Sequence, residues 1–222
     1  MRIVLGIMLL ALTGSNAAAQ DPTSVSPADY KVEIDNEWVR VLRVMQAPGA
    51  KTGPYQTVES ITVYPFGGHE KFTDGQGRSQ EVTRTPGEIM HFPAGKRSQE
   101  NLSDKPLEKV IVELKPFGPK HGMPPANLDP VKVEPEHVKA MFENDQVRVL
   151  LTRLEARFQN PLHAHPHNVV VFIKGPQTST TPDGKVVEAR NKPGRAHWVE
   201  ASQHATLNAT DDDVVEVQVE IK

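Results

Sequence analysis

Pro161-Leu162-His163-Ala164-His165-Pro166-His167-Asn168, followed at once by Val169-Val170-Val171-Phe172-Ile173, decides how this chain is read. Successive side chains of a strand point to opposite faces, so in an extended segment His163 and His165 look the same way. The β-branched run behind them is what a strand covered on both faces looks like. Neutral imidazoles ligate Zn, Fe, Cu or Ni, but two of them make half a site, and a third ligand must come from elsewhere in the fold. Downstream, Glu200-Ala201-Ser202-Gln203-His204-Ala205-Thr206-Leu207-Asn208 is a second segment able to run extended, and His204 is its candidate ligand.

The surrounding pattern is β throughout. Val215, Val217, Val219 and Ile221 alternate with Glu216, Gln218 and Glu220, while Val110, Val112 and Leu114 repeat the same spacing earlier in the chain. Turn signals such as Pro182-Asp183-Gly184 and Asp74-Gly75 punctuate these runs, and helical periodicity is absent beyond the first residues. The chain also repeats itself. Tyr30 to Leu42 matches Val138 to Leu150, with Asn36 and Asn144 a distance of 108 apart. Pro86-Gly87 matches Pro193-Gly194, Asn101 matches Asn208, and Val112-Glu113-Leu114-Lys115 matches Val219-Glu220-Ile221-Lys222, each at 107. Between the copies, 116–135 carries prolines at 116, 119, 124, 125, 130 and 135 and reads as an extended, irregular connector. The expectation is an all-β chain of two tandem modules, 30–115 and 136–222, each a small sandwich or barrel.

With the two histidine segments, the Pro-Asp-Gly hairpin, the Pro193-Gly194 turn and the closing strand in place, residues 136–222 resemble a small cupin, a jelly-roll β-barrel, and the whole chain resembles a bicupin. The small cupins associated with β-alanine degradation are the nearest in character. The resemblance implies that His163, His165 and His204 hold one divalent transition metal, Fe, Mn, Ni, Cu or Zn. Many cupins place a glutamate a few residues after the paired histidines, where this chain has His167 or Asn168. His167 shares strand parity with His163 and His165 and is a candidate fourth ligand, unless Pro166 and a turn break the parity. Asn168, Gln203 and Asn208 are candidate partners for the ligating rings or for a substrate, since a metal-bound histidine usually gives its other N–H to a neighbour.

The first module departs from this pattern. At the place of the paired histidines it has Pro54-Tyr55-Gln56-Thr57, and at the place of His204 it has Arg97, whose guanidinium has no lone pair to give a metal. The expectation is a barrel that supports its neighbour, with Arg97 and Tyr55 as the candidate pair for an anion.

The 222 residues include no cysteine, so disulfides, thiolate nucleophiles and Cys-bound zinc are excluded, and site chemistry rests on His, carboxylate or hydroxyl groups. The net charge of −3 and the lack of a basic run exclude nucleic acid as a partner. Residues 1–19 read as a secretory signal: Met1-Arg2, the apolar stretch Ile3 to Leu12, then Ala17-Ala18-Ala19 before Gln20. That stretch is too short for the ~30 Å of a bilayer core. The mature chain is expected in a periplasm or outside the cell, unattached to membrane, opening on a flexible polar segment at 20–29. Two functions follow from the cupin resemblance. One is a metal-dependent enzyme on a small molecule, dioxygenase-, isomerase- or decarboxylase-like; the other is a non-catalytic carrier of a metal or small ligand. Cupins often pair through strand exchange, so the resemblance also points to a homodimer.

Overall fold

The computed structural model describes residues 20–116, 122–189 and 192–222; the signal expected at 1–19 lies outside them. The first module contains nine strands: β1 (Tyr30–Asp35), β2 (Val39–Gln46), β3 (Lys51–Thr57), β4 (Ser60–Tyr64), β5 (Gly68–Asp74), β6 (Ser79–Arg84), β7 (Glu88–Phe92), β8 (Gly95–Asn101) and β9 (Leu107–Leu114). The second repeats them in order: β10 (Val138–Glu143), β11 (Val147–Leu154), β12 (His163–His165), β13 (Asn168–Lys174), β14 (Gln177–Thr180), β15 (Val186–Ala189), β16 (Ala196–Val199), β17 (Ser202–Leu207) and β18 (Val214–Ile221). Each module folds two sheets together. The five-stranded sheets run β1-β2-β9-β4-β7 and β10-β11-β18-β13-β16, and the four-stranded ones run β3-β8-β5-β6 and β12-β17-β14-β15. The all-β, two-module expectation is met.

Which face of each strand turns inward is the main surprise. Val39, Val41, Ile61, Val63, Val110, Val112 and Leu114 from one five-stranded sheet form a single core with Val147, Val149, Val169, Val171, Val217, Val219 and Ile221 from the other. The apolar faces therefore press the two modules together. The opposite faces line the barrel interiors, and there Glu216, Gln218 and Glu220 are each at most 4% exposed. Each buried valine is worth about 1.5–3 kcal/mol relative to an exposed one, so neither five-stranded sheet can do without its cover. Trp38 of the first module stacks on Trp198 and His167 of the second, at 5.2 and 5.0 Å between ring centroids.

The ends of the modules differ from expectation. Residues 20–29 and the end of the connector each hold a one-turn helix, α1 (Pro22–Val25) and α2 (Pro130–Val133). Asp21 and Asp129 cap them, accepting from Thr23 N at 2.8 Å and Val131 N at 3.2 Å, and proline fills the first turn, where no N–H is needed. The buried Pro22 and Pro130 ride on their barrels, so the repeat begins ahead of Tyr30 and Val138.

Candidate metal centre

The short strand β12 pairs antiparallel with β17, and its register sets His163 directly opposite His204 and His165 opposite Ser202. Strand parity then turns His163, His165 and His204 to one side. Their ring centroids lie 4.6 Å (163 to 204), 5.0 Å (163 to 165) and 5.4 Å (165 to 204) apart, and one ring nitrogen from each lies within 4.8 Å of the others.

The protonation chemistry suits a cation. His163 donates its Nδ1–H to the Pro161 carbonyl at 2.8 Å, and His165 donates its own to Glu220 Oε1 at 2.7 Å. In a neutral ring this leaves the lone pair on Nε2, and His165 Nε2 is buried without a hydrogen-bond partner. An orphaned buried polar atom costs about 1–3 kcal/mol unless something binds it. Burial, aided by the neighbouring rings, lowers the His163 pKa to about 4 and that of His204 to about 3, so both are neutral at pH 7. The residues fit a divalent transition metal.

Glu220 anchors the arrangement. Fully buried on β18, it accepts from His165 through one oxygen and from Arg148 Nε at 2.5 Å through the other. Arg148 reaches on to both oxygens of Asp129, at 3.0 and 3.1 Å. A carboxylate behind a ligating histidine fixes the ring's tautomer and orientation. The first module builds the same chain from Asp21, Arg40 and Glu113, with Thr57 where His165 would stand.

Above the rings opens a cavity of about 370 Å³, lined by His165, His204, Phe172, Gln177, Glu216 and Gln218 among others. Glu216 accepts from Gln177 Nε2 at 2.7 Å and from Gln218 Nε2 at 3.0 Å, and burial pushes its pKa up to about 7. Sequence reading missed both glutamates. Glu220 was legible as a repeat anchor, and the spacing shared by Asp21-Arg40-Glu113 and Asp129-Arg148-Glu220 is the signal that marks it.

The remaining candidates separate. Asn168 is buried beside the cavity and donates to the Pro166 carbonyl at 2.9 Å. Gln203 is exposed, because its parity is opposite to that of His204. Asn208 is buried away from the rings, giving its amide to the carbonyls of Leu154, Glu155 and Asp212; Asn101 does the same for Gln46, Ala47 and Lys105. Both asparagines tie down loops. His167 stands outside the histidine cluster: β12 ends at His165, and the His167 ring stacks on Trp38 and Trp198 and meets Glu200 Oε2 at 2.6 Å.

In the first module Tyr55 and Arg97 do sit opposite each other in the ladder, with little space beside them for an anion. The Tyr55 hydroxyl is engaged by Tyr30 and Gln99 at 3.3 Å, Arg97 lies over the Phe92 ring at 4.6 Å, and the space between them measures about 20 Å³, room for one water. Lys109, Glu70 and Arg84 fill the interior, with Lys109 Nζ 3.0 Å and Arg84 Nε 3.3 Å from Glu70.

No protein-family model matches the chain, and no curated protein matches it. Solved structures do. AerE from Microcystis aeruginosa superposes with a TM-score of 0.62 at 13% identity, over 87% of this chain and 97% of that one. A cupin 2 conserved barrel domain protein from Leptotrichia buccalis gives 0.57 at 10% identity, over 87% and 88%. A single-substitution variant of the oxalate decarboxylase of Bacillus subtilis gives 0.55 at 14% identity, over 87% and 75%; Mn(II) centres are described for the oxalate decarboxylase of that organism. At these identities the likeness shows the fold.

Proposed function

Since this chain folds as two cupin barrels in tandem, we propose that it is an exported metalloenzyme of small-molecule chemistry, dioxygenase-, isomerase- or decarboxylase-like, working from a single three-histidine centre in its second barrel. The observation that carries this reading is the convergence of three imidazole nitrogens within 4.8 Å at the edge of a cavity of about 370 Å³. Three protein ligands leave positions open, the mark of a reactive rather than a purely structural site. A divalent transition metal held there would supply a Lewis acid that polarises a bound oxygen or lowers the pKa of bound water.

The chain's own residues supply the rest. Glu220 and Pro161 hold the rings of His165 and His163 in the tautomer that presents Nε2. Gln177 and Gln218 hold Glu216, which near pH 7 both takes and gives a proton inside the chamber. The first barrel, filled by its own side chains, covers the apolar back of the second. The leader pattern at 1–19 supports export.

Elemental analysis of the purified protein tests the centre. About one transition-metal ion per chain is expected, and almost none in a His163→Ala, His204→Ala double variant. Equal metal content in the two proteins would refute the assignment. Metal retention without turnover across small-molecule panels would leave a carrier of metal or ligand.

A further inference from the structure

The buried side-chain atoms left without a partner around the cavity are acceptors. Asn168 Nδ2 is committed to the Pro166 carbonyl and Gln177 Nε2 to the Glu216 carboxyl, so the network itself assigns both amides, and Asn168 Oδ1 and Gln177 Oε1 remain buried without partners. Buried acceptors of this kind are costly unless a donor reaches them. Glu216 adds a carboxyl on the same wall, while Val170, Phe172 and Val199 make the apolar side. No lysine or arginine lines the cavity among the described residues.

The first barrel shows what the fold does with this level when no ligand is to enter. At the 107 offset, Glu70 is the counterpart of Gln177 and Lys109 the counterpart of Glu216. There Lys109 bonds Glu70 at 3.0 Å and Gln99 at 2.7 Å, and the barrel is closed. In the second barrel the cation is replaced by a carboxyl and the carboxylate by an amide, the chamber stays open, and acceptors face it.

We propose that the chamber takes an uncharged small molecule that offers O–H donors to Glu216, Gln177 and Asn168, and that Glu216 turns away carboxylates and other oxyanions. The proposal rests on the reading of this cavity as the chamber of the three-histidine centre.

The test uses Mn(II)-loaded full-length protein and two probes of matched size, benzyl alcohol and benzoate, with binding read by saturation-transfer NMR. Wild type is expected to bind benzyl alcohol about ten-fold more tightly than benzoate. Glu216→Gln, and independently Glu216→Met, are expected to move that ratio about ten-fold toward benzoate. The idea is overturned if wild type fails to bind benzyl alcohol, if benzoate binds it as tightly, or if both variants keep the wild-type ratio. Broadening of the probe resonances by Mn(II) is read separately. Its absence, with the ratios as expected, counts against the metal centre and leaves the ligand class standing.

Discussion

Replacing Glu220 by glutamine separates positioning of the metal ligand from stability, because the molecule carries its own control. The carboxylate accepts from His165 Nδ1 at 2.7 Å and from Arg148 Nε at 2.5 Å. A carboxamide has one oxygen. If that oxygen stays with Arg148, its NH₂ group meets the His165 Nδ1–H and forces the proton to Nε2, where it blocks the lone pair a cation needs. If the oxygen turns to His165, the Arg148 Nε–H loses its partner, although Asp129 still accepts from the other end of the guanidinium. Losing one charge-assisted hydrogen bond costs about 1.5–3 kcal/mol. The surviving Asp129 contacts argue for the lower half, about 2 kcal/mol in the metal-free protein. Loss of the partner behind a ligating histidine lowers metal affinity about 10- to 100-fold.

Glu113→Gln makes the same cut in the first barrel, where Glu113 accepts from Arg40 Nε at 2.5 Å and no histidine waits on its other side. Its stability cost should be equal or smaller, since the Arg40 side chain is 24% exposed against 7% for Arg148, and its metal affinity should be that of wild type. Zn(II) competition against a chromophoric chelator at pH 7, with urea denaturation of the metal-free proteins alongside, reads both quantities. Wild-type Zn(II) affinity in Glu220→Gln, or an equal loss of it in Glu113→Gln, would refute this role for Glu220.

Three further outcomes follow from the same geometry. The second module expressed alone, 122–222, should self-associate or lose cooperative unfolding, because seven residues of its five-stranded sheet lose their cover; a stable monomer by sedimentation would contradict the shared core. Lys109→Met strands Glu70 inside the first barrel with Arg84 at 3.3 Å as its remaining cation, so it should cost about 3–5 kcal/mol in urea denaturation with metal content untouched. In metal-free protein, the folded pKa values of about 4 for His163 and about 3 for His204 lie below the unfolded 6.5, so unfolding takes up protons as pH falls below 6.5 and stability is lost in that direction. Wild type should therefore lose stability relative to His204→Ala between pH 7 and pH 4, and a constant difference across that range would be evidence against buried neutral rings.

Strand parity was enough to find His163, His165 and His204, because a period of two survives any detail of the fold. The same parity, applied to β17, excludes Gln203 and keeps Ser202 and Thr206; adjacency to His204 in sequence is a poorer guide than facing. His167 slips out because Pro166 ends the short strand. What parity cannot say is which face of an amphipathic strand meets the barrel interior when both faces are covered, and here the valines of β9 and β18 face the neighbouring module while Glu113, Glu216 and Glu220 face inward. The two modules supply the missing criterion. A group that does the same job at equivalent positions in both barrels cannot owe that job to the metal: Asn101 and Asn208 hold loops, and Asp21-Arg40-Glu113 and Asp129-Arg148-Glu220 brace a helix cap to a closing strand. What differs between them, Tyr55 against His163, Thr57 against His165, Arg97 against His204 and Lys109 against Glu216, sets the three-histidine cluster and its open cavity apart from the closed first barrel. Glu220 belongs to the first set and serves the second. As a scaffold group it already holds a buried negative charge beside the position of residue 165, so a histidine placed there is oriented by a carboxylate that the barrel needs anyway to satisfy its arginine.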